Sequence, residues 1–486
     1  MRVIRGLREM GIRSVAVYSD VDRNAMHVRM ADEAVAIGPA ASSESYLRID
    51  KMIAVAKDRG AEAIHPGYGF LSENAGFPEA CAKAGIIFIG PSADSIRKVG
   101  SKTAARQLAI AAGAPVLPGM KHAVTDIDEA RRVARDIGYP VLLKAASGGG
   151  GKGMRRVDSE SELKSSLRDA SSEAERAFKD SSVYIEKLLV NPRHIEVQVL
   201  GDEHGNLLHL GERECSIQRR HQKVIEECPS PLIAAHPEMR DAMGKAALKV
   251  ARAAGYYNAG TCEFLVDADR NFYFLEMNTR LQVEHPVTEL VTSLDLVHWQ
   301  IRIAAGEPLT LKQEDIRWTG SAIEARIYAE DPDNHFFPSP GKVTGLVQPS
   351  GPGIRLDSGV YPGLVIPMDY DPLLAKIAVW AETRRDAIHR MERAVGEYYV
   401  SGIKTNISFF REILADPLFQ DGQLHTGFIE EFFQRRPAKP DPDPEVVRVA
   451  ALVAAIHSGR RQDATNSTAP PASSQWRASG RDALLR

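Results

Sequence analysis

The chain is poor in the features that would place it in a membrane, in an oxidising compartment or on a polyanion. It has only four cysteines in 486 residues: Cys81, Cys215, Cys228 and Cys262. They are scattered without CxxC spacing, which excludes a disulfide scaffold or a zinc ribbon and is expected of reduced thiols. No apolar run approaches the ~20 residues that a membrane helix needs. The opening segment Met1-Arg-Val-Ile-Arg-Gly-Leu-Arg-Glu-Met10 lacks the apolar core of a signal peptide. Its apolar residues Val3, Ile4, Leu7 and Met10 fall at helical spacing, so a surface helix is expected there, in a cytoplasmic protein. A formal net charge of −3 supplies no general pull toward nucleic acid or an anionic membrane. Hydrophobic content of 44% with 26% charged residues is that of a soluble globular protein. The length is too great for one ordinary core, so several domains are expected.

Residues 1–90 alternate amphipathic helices with short β-rich runs at 14–18, 34–38, 63–65 and 86–90, which predicts an α/β unit with a parallel sheet. A helical linker follows at 91–114. A small α+β segment at 115–189 contains a strand over 141–145, a glycine-rich loop, a charged helix from Ser159 and a strand over 182–187. Residues 190–320 carry antiparallel strands, among them 194–200 and 207–211, and then a hairpin. Another mixed segment occupies 321–433. Past Gln434 a proline-rich linker, one helix near 445–457 and a low-complexity stretch predict a largely disordered tail over 434–486. No internal repeat is apparent.

The hairpin is the most informative feature. Gly260–Val266 and Asn271–Asn278 are rich in aromatic and β-branched residues, and Asp267–Arg270 supplies the turn. A symmetric turn would set Glu263 opposite Glu276, and like charges directly opposite one another repel. Asn278, two residues on, shares that face. Two carboxylates and an amide oxygen make an all-oxygen site suited to magnesium or manganese in contact with phosphate. An acidic solvated edge is the bland alternative, and the following Thr279-Arg-Leu-Gln-Val-Glu-His285 argues against it by adding a cation and a further carboxylate. Ser147-Gly-Gly-Gly-Gly-Lys-Gly-Met154 follows a strand bearing Lys144. Such a loop is either a flexible hairpin tip or a flap whose amides meet an anion, and it is not a Walker arrangement. Lys102 is a second candidate phosphate cation, though a lone lysine is usually solvated. Glu186-Lys187-Leu188-Leu189 is either an exposed strand end or a set of backbone groups for an adenine. His194 and His221 read first as structural histidines, but His221 lies in the cationic run Gln218–Lys223. Arg280 and Glu284 share a side of an extended segment. They form either an ordinary salt bridge or a grip on a small oxyanion, with the carboxylate taking its proton.

Taken together, several blocks closely resemble biotin carboxylase, an ATP-grasp enzyme. They are His65–Asn74, the flap at 147–154, Asn191–Glu196, Glu212–Lys223 and Glu276–Pro286. Their order and spacing match from residue 1 to about 433. The resemblance implies a multidomain α/β and α+β fold. It would comprise a Rossmann-like N-terminal domain, an ATP-grasp domain with a mobile lid carrying the flap, and a C-terminal biotin carboxylase domain. It implies that ATP is bound by Lys102, Lys144, Gly150, Gly151, Met154, Glu186, Lys187, Leu189, His194, Gln218, His221, Leu265 and Glu276. It further implies that Glu263, Glu276 and Asn278 hold Mg²⁺ or Mn²⁺, two ions in all, and that Lys223, Arg280 and Val283 contact bicarbonate. Glu284 would be the general base and Arg326 would face the ureido oxygen of biotin.

The expected activity is carboxylation of biotin on a biotin carboxyl carrier protein, as the first half-reaction of an acetyl-CoA, acyl-CoA or pyruvate carboxylase. The resemblance implies a homodimer, and with no Met-Lys-Met biotin-attachment segment and no carboxyltransferase-sized remainder, a stand-alone subunit working with a separate carrier and carboxyltransferase subunits is expected. Family members usually begin with a further strand before the helix at which this chain starts, so a neighbouring sheet edge is expected to be exposed. The rival readings are a carbamoyl-phosphate-type ligase that activates bicarbonate and a non-catalytic ATP-binding subunit.

Overall fold

The computed structural model describes residues 1–120, 124, 126–145, 154–178, 181–437 and 443–466. Its contacts divide the chain into two units, Met1–Phe432 and Phe433–Arg486.

At the centre of the first unit lies an eight-stranded sheet. Its order is Phe272–Asn278, Asn258–Val266, Arg193–Gly201, Leu207–Arg219, Gln222–Cys228, Ser321–Tyr328, Leu373–Ala381 and Ile354–Ser358. Every neighbouring pair is antiparallel. The sheet runs without a break across the limit expected at residue 320. Ser321–Tyr328 pairs directly with Gln222–Cys228, so segments predicted as separate share one backbone ladder. One face packs on the helix Glu238–Ala254, through Ile195, Val197, Val199, Met243, Ala247, Val250, Cys262 and Phe264. Alternation then turns His194, Glu196 and Gln198 to the other face.

In the segment 115–189, Met154–Val157, Val141–Ala145 and Val183–Lys187 form a three-stranded antiparallel sheet. Helices Ile127–Ile137 and Glu160–Phe178 flank it, and it has a separate core around Val141, Leu143, Val157, Leu163 and Ile185. The linker expected at 91–114 contains two helices, Ala93–Val99 and Lys102–Ala111. Ser92 and Ser101 cap them by accepting from the amides of Ser95 and Ala104.

Near the N-terminus the predicted parallel sheet consists of two separate pairs. One joins Val15–Ser19 to Glu33–Gly38, and the other joins Ala63–Ile64 to Ile87–Phe88. Residues of both pairs, including Val15, Val17, Ala63 and Ile64, line one large cavity.

In the second unit, Pro444–Asn466 is helical, a longer stretch than the 445–457 read from sequence. Arg460, Arg461 and Gln462 are good helix formers and continue the helix past Gly459. Residues 467–486, where disorder was expected, lie outside the described residues. Among the described residues no helix is long and apolar enough to cross a membrane.

Arg213 ties the sheet centre together. It is fully buried, and its guanidinium donates to Glu196 at 2.5 Å, Gln198 at 2.7 Å, Thr288 at 2.9 Å and Thr261 at 3.2 Å. Removing one partner of such a pair leaves an uncompensated buried charge. Arg213→Ala is therefore expected to lower unfolding free energy by about 3–5 kcal/mol in a urea titration followed by circular dichroism. A loss below about 1 kcal/mol would show that the surrounding dipoles hold Glu196 without it.

Candidate active site

The turn of the hairpin is fixed by Asp267, whose carboxylate accepts from the amides of Asp269 at 3.0 Å and Asn271 at 2.9 Å. Val266 then pairs with Phe272, Leu265 with Tyr273 and Phe264 with Phe274. A bulge passes over Leu275 and sets Glu276 opposite Glu263. The two glutamates are opposed as expected, but the bulge, and not a symmetric turn, brings this about. Glu263 is buried, while the Glu276 side chain is one-third exposed and lies 3.4 Å from the Lys102 ammonium.

Lys223 is the hub of the site. Its ammonium lies 2.5 Å from Glu196, 2.9 Å from Glu263 and 2.7 Å from Glu284. Burial pushes its pKa down, but the three carboxylates outweigh that and hold it well above the usual lysine value. Burial likewise pushes the Glu284 carboxyl up, and Lys223, Arg326 and Arg213 overcome this to hold it well below the ordinary range. Glu263 is depressed in the same sense, burial being outweighed by Lys223 and His194. On the far side of Glu284, Arg326 donates to it at 2.8 Å and, through Nε, to Glu226 at 2.6 Å. Val283 presents its carbonyl to Lys376.

Arg280 donates to the Asn278 amide oxygen at 3.2 Å and to Gln282 at 3.2 Å, and its Nε lies 3.1 Å from Glu73. The simple Arg280–Glu284 salt bridge weighed from spacing is not among these contacts, because Glu284 is taken by Lys223 and Arg326. Lys144 pairs with Glu186 across two adjacent strands of the small sheet. Lys187 is directed elsewhere. Its ammonium donates to the carbonyls of Gly138 and Tyr139, and its amide to that of Pro118. The Leu188 amide donates to the Pro140 carbonyl, and Lys187, Leu188 and Leu189 all line the cavity.

The cationic run at 218–223 is not one solvated face. Gln218 is buried, Arg219 meets Glu330 at 2.9 Å, Arg220 and His221 form the left-handed tip of a hairpin, and Lys223 turns inward. Leu265 lies in the hairpin and also lines the cavity. Gly150, Gly151 and the rest of the flap lie outside the described residues, as does the Met154 side chain, whose backbone opens the strand Met154–Val157.

One cavity of about 2500 Å³ connects these groups. Lys102, Lys144, Glu186, His194, His221, Glu263, Glu276, Arg280 and Arg326 all line it. Its donor set fits a hard divalent cation: Glu263 and Glu276 offer carboxylate oxygens, and His194 Nε2 is a buried polar atom without an aligned hydrogen-bond partner, 3.0 Å from Glu263. Asn278 turns its amide nitrogen to Glu263 at 2.9 Å and its oxygen to Arg280, so an exchange of the two amide atoms would present oxygen to a cation.

Sequence reasoning missed Glu73, Glu196, Arg213, Glu226, Gln282 and Glu324. A signal existed for some of them. His194, Glu196 and Gln198 recur with period two on an apolar strand, as do Glu324, Arg326 and Tyr328. Polar residues on both sides of that pattern mark a lined interior.

Residues 1–96 match the model of the biotin carboxylase N-terminal domain, and 324–431 match that of the C-terminal domain. Residues 101–312 match the ATP-binding domain of the carbamoyl-phosphate synthase L chain. The chain is 54% identical over 432 residues to a pyruvate carboxylase subunit of Methanothermobacter thermautotrophicus, covering 89% of this chain and 87% of that one. To biotin carboxylase 1 of Bacillus subtilis it is 50% identical over 433 residues, covering 89% and 96%. Among solved structures, the biotin carboxylase domain of Hydrogenobacter thermophilus 2-oxoglutarate carboxylase, a dimer with MgADP, ADP and bicarbonate, superposes with a TM-score of 0.83. It is 47% identical, with 90% of this chain and 96% of that one covered. Three domain models in sequence and relatives matched over nearly their whole length leave one assignment: the chain belongs to the biotin carboxylase family, as an ATP-grasp ligase.

Proposed function

We propose that this protein carboxylates biotin with bicarbonate at the expense of ATP. The observation that carries the reading is the bridge made by Lys223 and Glu284. Lys223 joins the acidic hairpin to Glu284, and Glu284 joins Lys223 to Arg326, so a phosphate-binding side and a biotin side meet at one carboxylate. ATP would lie among Lys102, Lys144, Gly150, Gly151, Met154, Glu186, Lys187, Leu189, His194, Gln218, His221 and Leu265. Glu263, Glu276 and Asn278 would hold magnesium or manganese, which neutralises charge on the phosphates. The segment 115–189, with its separate core, is read as the lid that excludes water over them.

Bicarbonate is a poor electrophile, and the ureido nitrogen of biotin is a weak nucleophile, so ATP must activate one of them. Arg280, Lys223 and the backbone of Val283 would hold bicarbonate, and Glu284 would take its proton. An oxygen of the resulting dianion attacks the γ-phosphorus, the bond to the β-phosphate oxygen breaks, and ADP leaves with carboxyphosphate behind. Carboxyphosphate parts into CO₂ and phosphate, and phosphate accepts the N1 proton of biotin. Arg326 stabilises the negative charge that then gathers on the ureido oxygen, and N1 bonds to CO₂. Glu284 remains ionised in this geometry, as a base must. Its proton affinity rises once an anion draws Lys223 away from it.

The biotin would arrive on a carrier protein, and carboxyltransferase subunits would use the product. A homodimer and a cytoplasmic setting accompany this reading. The relatives' names give different final acceptors, pyruvate and 2-oxoglutarate among them. Acetyl-CoA, with fatty acid biosynthesis as the setting, is another, and the carboxyltransferase partner would make the choice.

An ADP-release assay with free biotin and bicarbonate, each omitted in turn, should show full turnover only with both present. Ammonia stimulation in place of biotin would favour a carbamoyl-phosphate-type ligase. Glu284→Gln should keep ATP affinity within about threefold and lose at least about 100-fold of bicarbonate-dependent turnover. Full activity in that variant would refute the base assignment. Arg326→Ala should reduce biotin carboxylation by about 100-fold, much more steeply than biotin-independent ATP hydrolysis, whereas equal losses would remove its assigned role.

A further inference from the structure

Behind Arg326 lies a carboxylate pair that no step of this reaction uses. Glu226 and Glu324 are direct register partners on the adjacent strands Gln222–Cys228 and Ser321–Tyr328, and both are fully buried. Directly opposed positions hold their Cβ atoms about 5 Å apart on the same face. Arg326 Nε takes one oxygen of Glu226 at 2.6 Å. The other Glu226 oxygen and both Glu324 oxygens are buried without a hydrogen-bond donor. The nearest cation to Glu324 is Lys376, at 3.4 Å, and that ammonium already donates to the Val283 carbonyl.

Cations are scarce around this pair. The buried, linked carboxylates are Glu196, Glu226, Glu263, Glu284 and Glu324, and the cations among them are Arg213, Lys223, Arg326 and Lys376. His194 also faces Glu263 at 3.0 Å, and among the described residues the only cations that pair with Glu226 or Glu324 are Arg326 and Lys376, each already engaged by another acceptor. The other ionisable groups facing the pair do not supply a cation: Asp357 bears on Glu324 and is held by Arg355, and Cys215 and Tyr328 are neutral groups beside Glu226 and Arg326.

We propose that Glu226 and Glu324 hold one proton between them and position Arg326, so that the guanidinium keeps its place beside Glu284 only while that proton is present. In the protonated pair, the Glu324 hydroxyl donates to the free Glu226 oxygen, satisfying two of the three orphaned atoms. The remaining negative charge sits on Glu226, where Arg326 Nε meets it. When the proton leaves to solvent, two opposed anions compete for Arg326 and Lys376. Arg326 is drawn from Glu284, and Lys376 from Val283.

Burial is the main cause that raises both acids, to about 7 for Glu226 and about 8 for Glu324. The opposing Glu226 adds to the rise at Glu324, and Glu284 adds to it at Glu226. Arg326 and Lys376 only partly offset it. Raised values mean that the pair holds a proton at neutral pH and loses it as pH climbs through about 8, while below about 7 a second proton adds at Glu226. The pair titrates as a unit.

The proposal rests on the reading of Arg326 as the residue that faces biotin, and its tests separate the two. In the wild-type protein, infrared difference spectra between about pH 6 and about pH 9 should show a protonated-carboxyl C=O band that disappears with rising pH and is absent from Glu324→Gln. This outcome does not depend on what Arg326 does. No such band, or the same band in Glu324→Gln, overturns the shared proton. For positioning, the pH profile of biotin-dependent kcat/KM should fall on its alkaline side in the wild type. In Glu324→Gln, which needs no proton, that limb should move upward by at least about 1 unit. Glu226→Gln should lower biotin-dependent kcat/KM at least about 10-fold at neutral pH while biotin-independent ATP hydrolysis falls by less than about threefold, with partial rescue by Glu226→Asp. An unshifted alkaline limb in Glu324→Gln, or equal loss of both activities in Glu226→Gln, overturns the positioning role. If a variant does not fold, the wild-type band still decides the proton.

Discussion

The site depends on one buried ammonium. Lys223 is bound by Glu196, Glu263 and Glu284, each from a different element: the strand Arg193–Gly201, the hairpin, and the segment leading into the helix His285–Thr292. Burying a lone ammonium or a lone carboxylate costs several kcal/mol, so neither the lysine nor the acids could occupy these places alone. Mutual neutralisation makes the polar sheet centre possible. It also fixes the hairpin, the entry to the helix and the β-ladder relative to one another within hydrogen-bond distances. Arg213 supports the arrangement from beneath by taking the second oxygen of Glu196.

The sheet then determines what can stand beside that ammonium. Strict alternation would send Lys223 and Glu226, an odd number of residues apart, to opposite faces. Irregularities in the ladder between Lys223 and Ile225, and again between Ile225 and Glu227, break the alternation. Lys223 and Glu226 consequently approach Glu284 and Arg326 from the same side, while Glu227 meets Arg384 elsewhere. The bulge at Leu275 does the equivalent work in the hairpin. Bulges re-aim side chains at the cost of local pairing, and here they gather charges that an ideal ladder would separate.

This explains how far the sequence could be read. The hairpin with Glu263 opposite Glu276 was legible because turn chemistry and strand composition are local. The strand read over 141–145 was legible for the same reason, and that read over 182–187 is observed as Val183–Lys187. Glu226 carried no such signal, and the period-two recurrence at Glu196 and Glu324 marks a polar strand face without showing that it is buried, since that burial depends on a cation from a distant segment. Arg326 lies 100 residues from Glu226. The continuous sheet across residue 320 was hidden for a related reason. Strand pairing between Gln222–Cys228 and Ser321–Tyr328 is non-local, and the helices between them look like the end of a domain. Lys187 was legible only as part of a strand end: it lines the cavity, while its ammonium donates to the carbonyls of Gly138 and Tyr139, a contact that no local spacing predicts.

A site whose charges already satisfy one another is poised differently from an open set of cations. Arg326 and Lys223 both hold Glu284, so an incoming anion competes with a carboxylate that is already preorganised and desolvated. Any loosening of Lys223 from Glu284 would raise the proton affinity of that carboxylate, because Lys223 is the largest of the charges that depress it. With both cations in place, Glu284 is clamped at low proton affinity. What Glu284 meets is therefore set by the electrostatics of Lys223, Arg326 and Arg213, which together outweigh the cost of its burial.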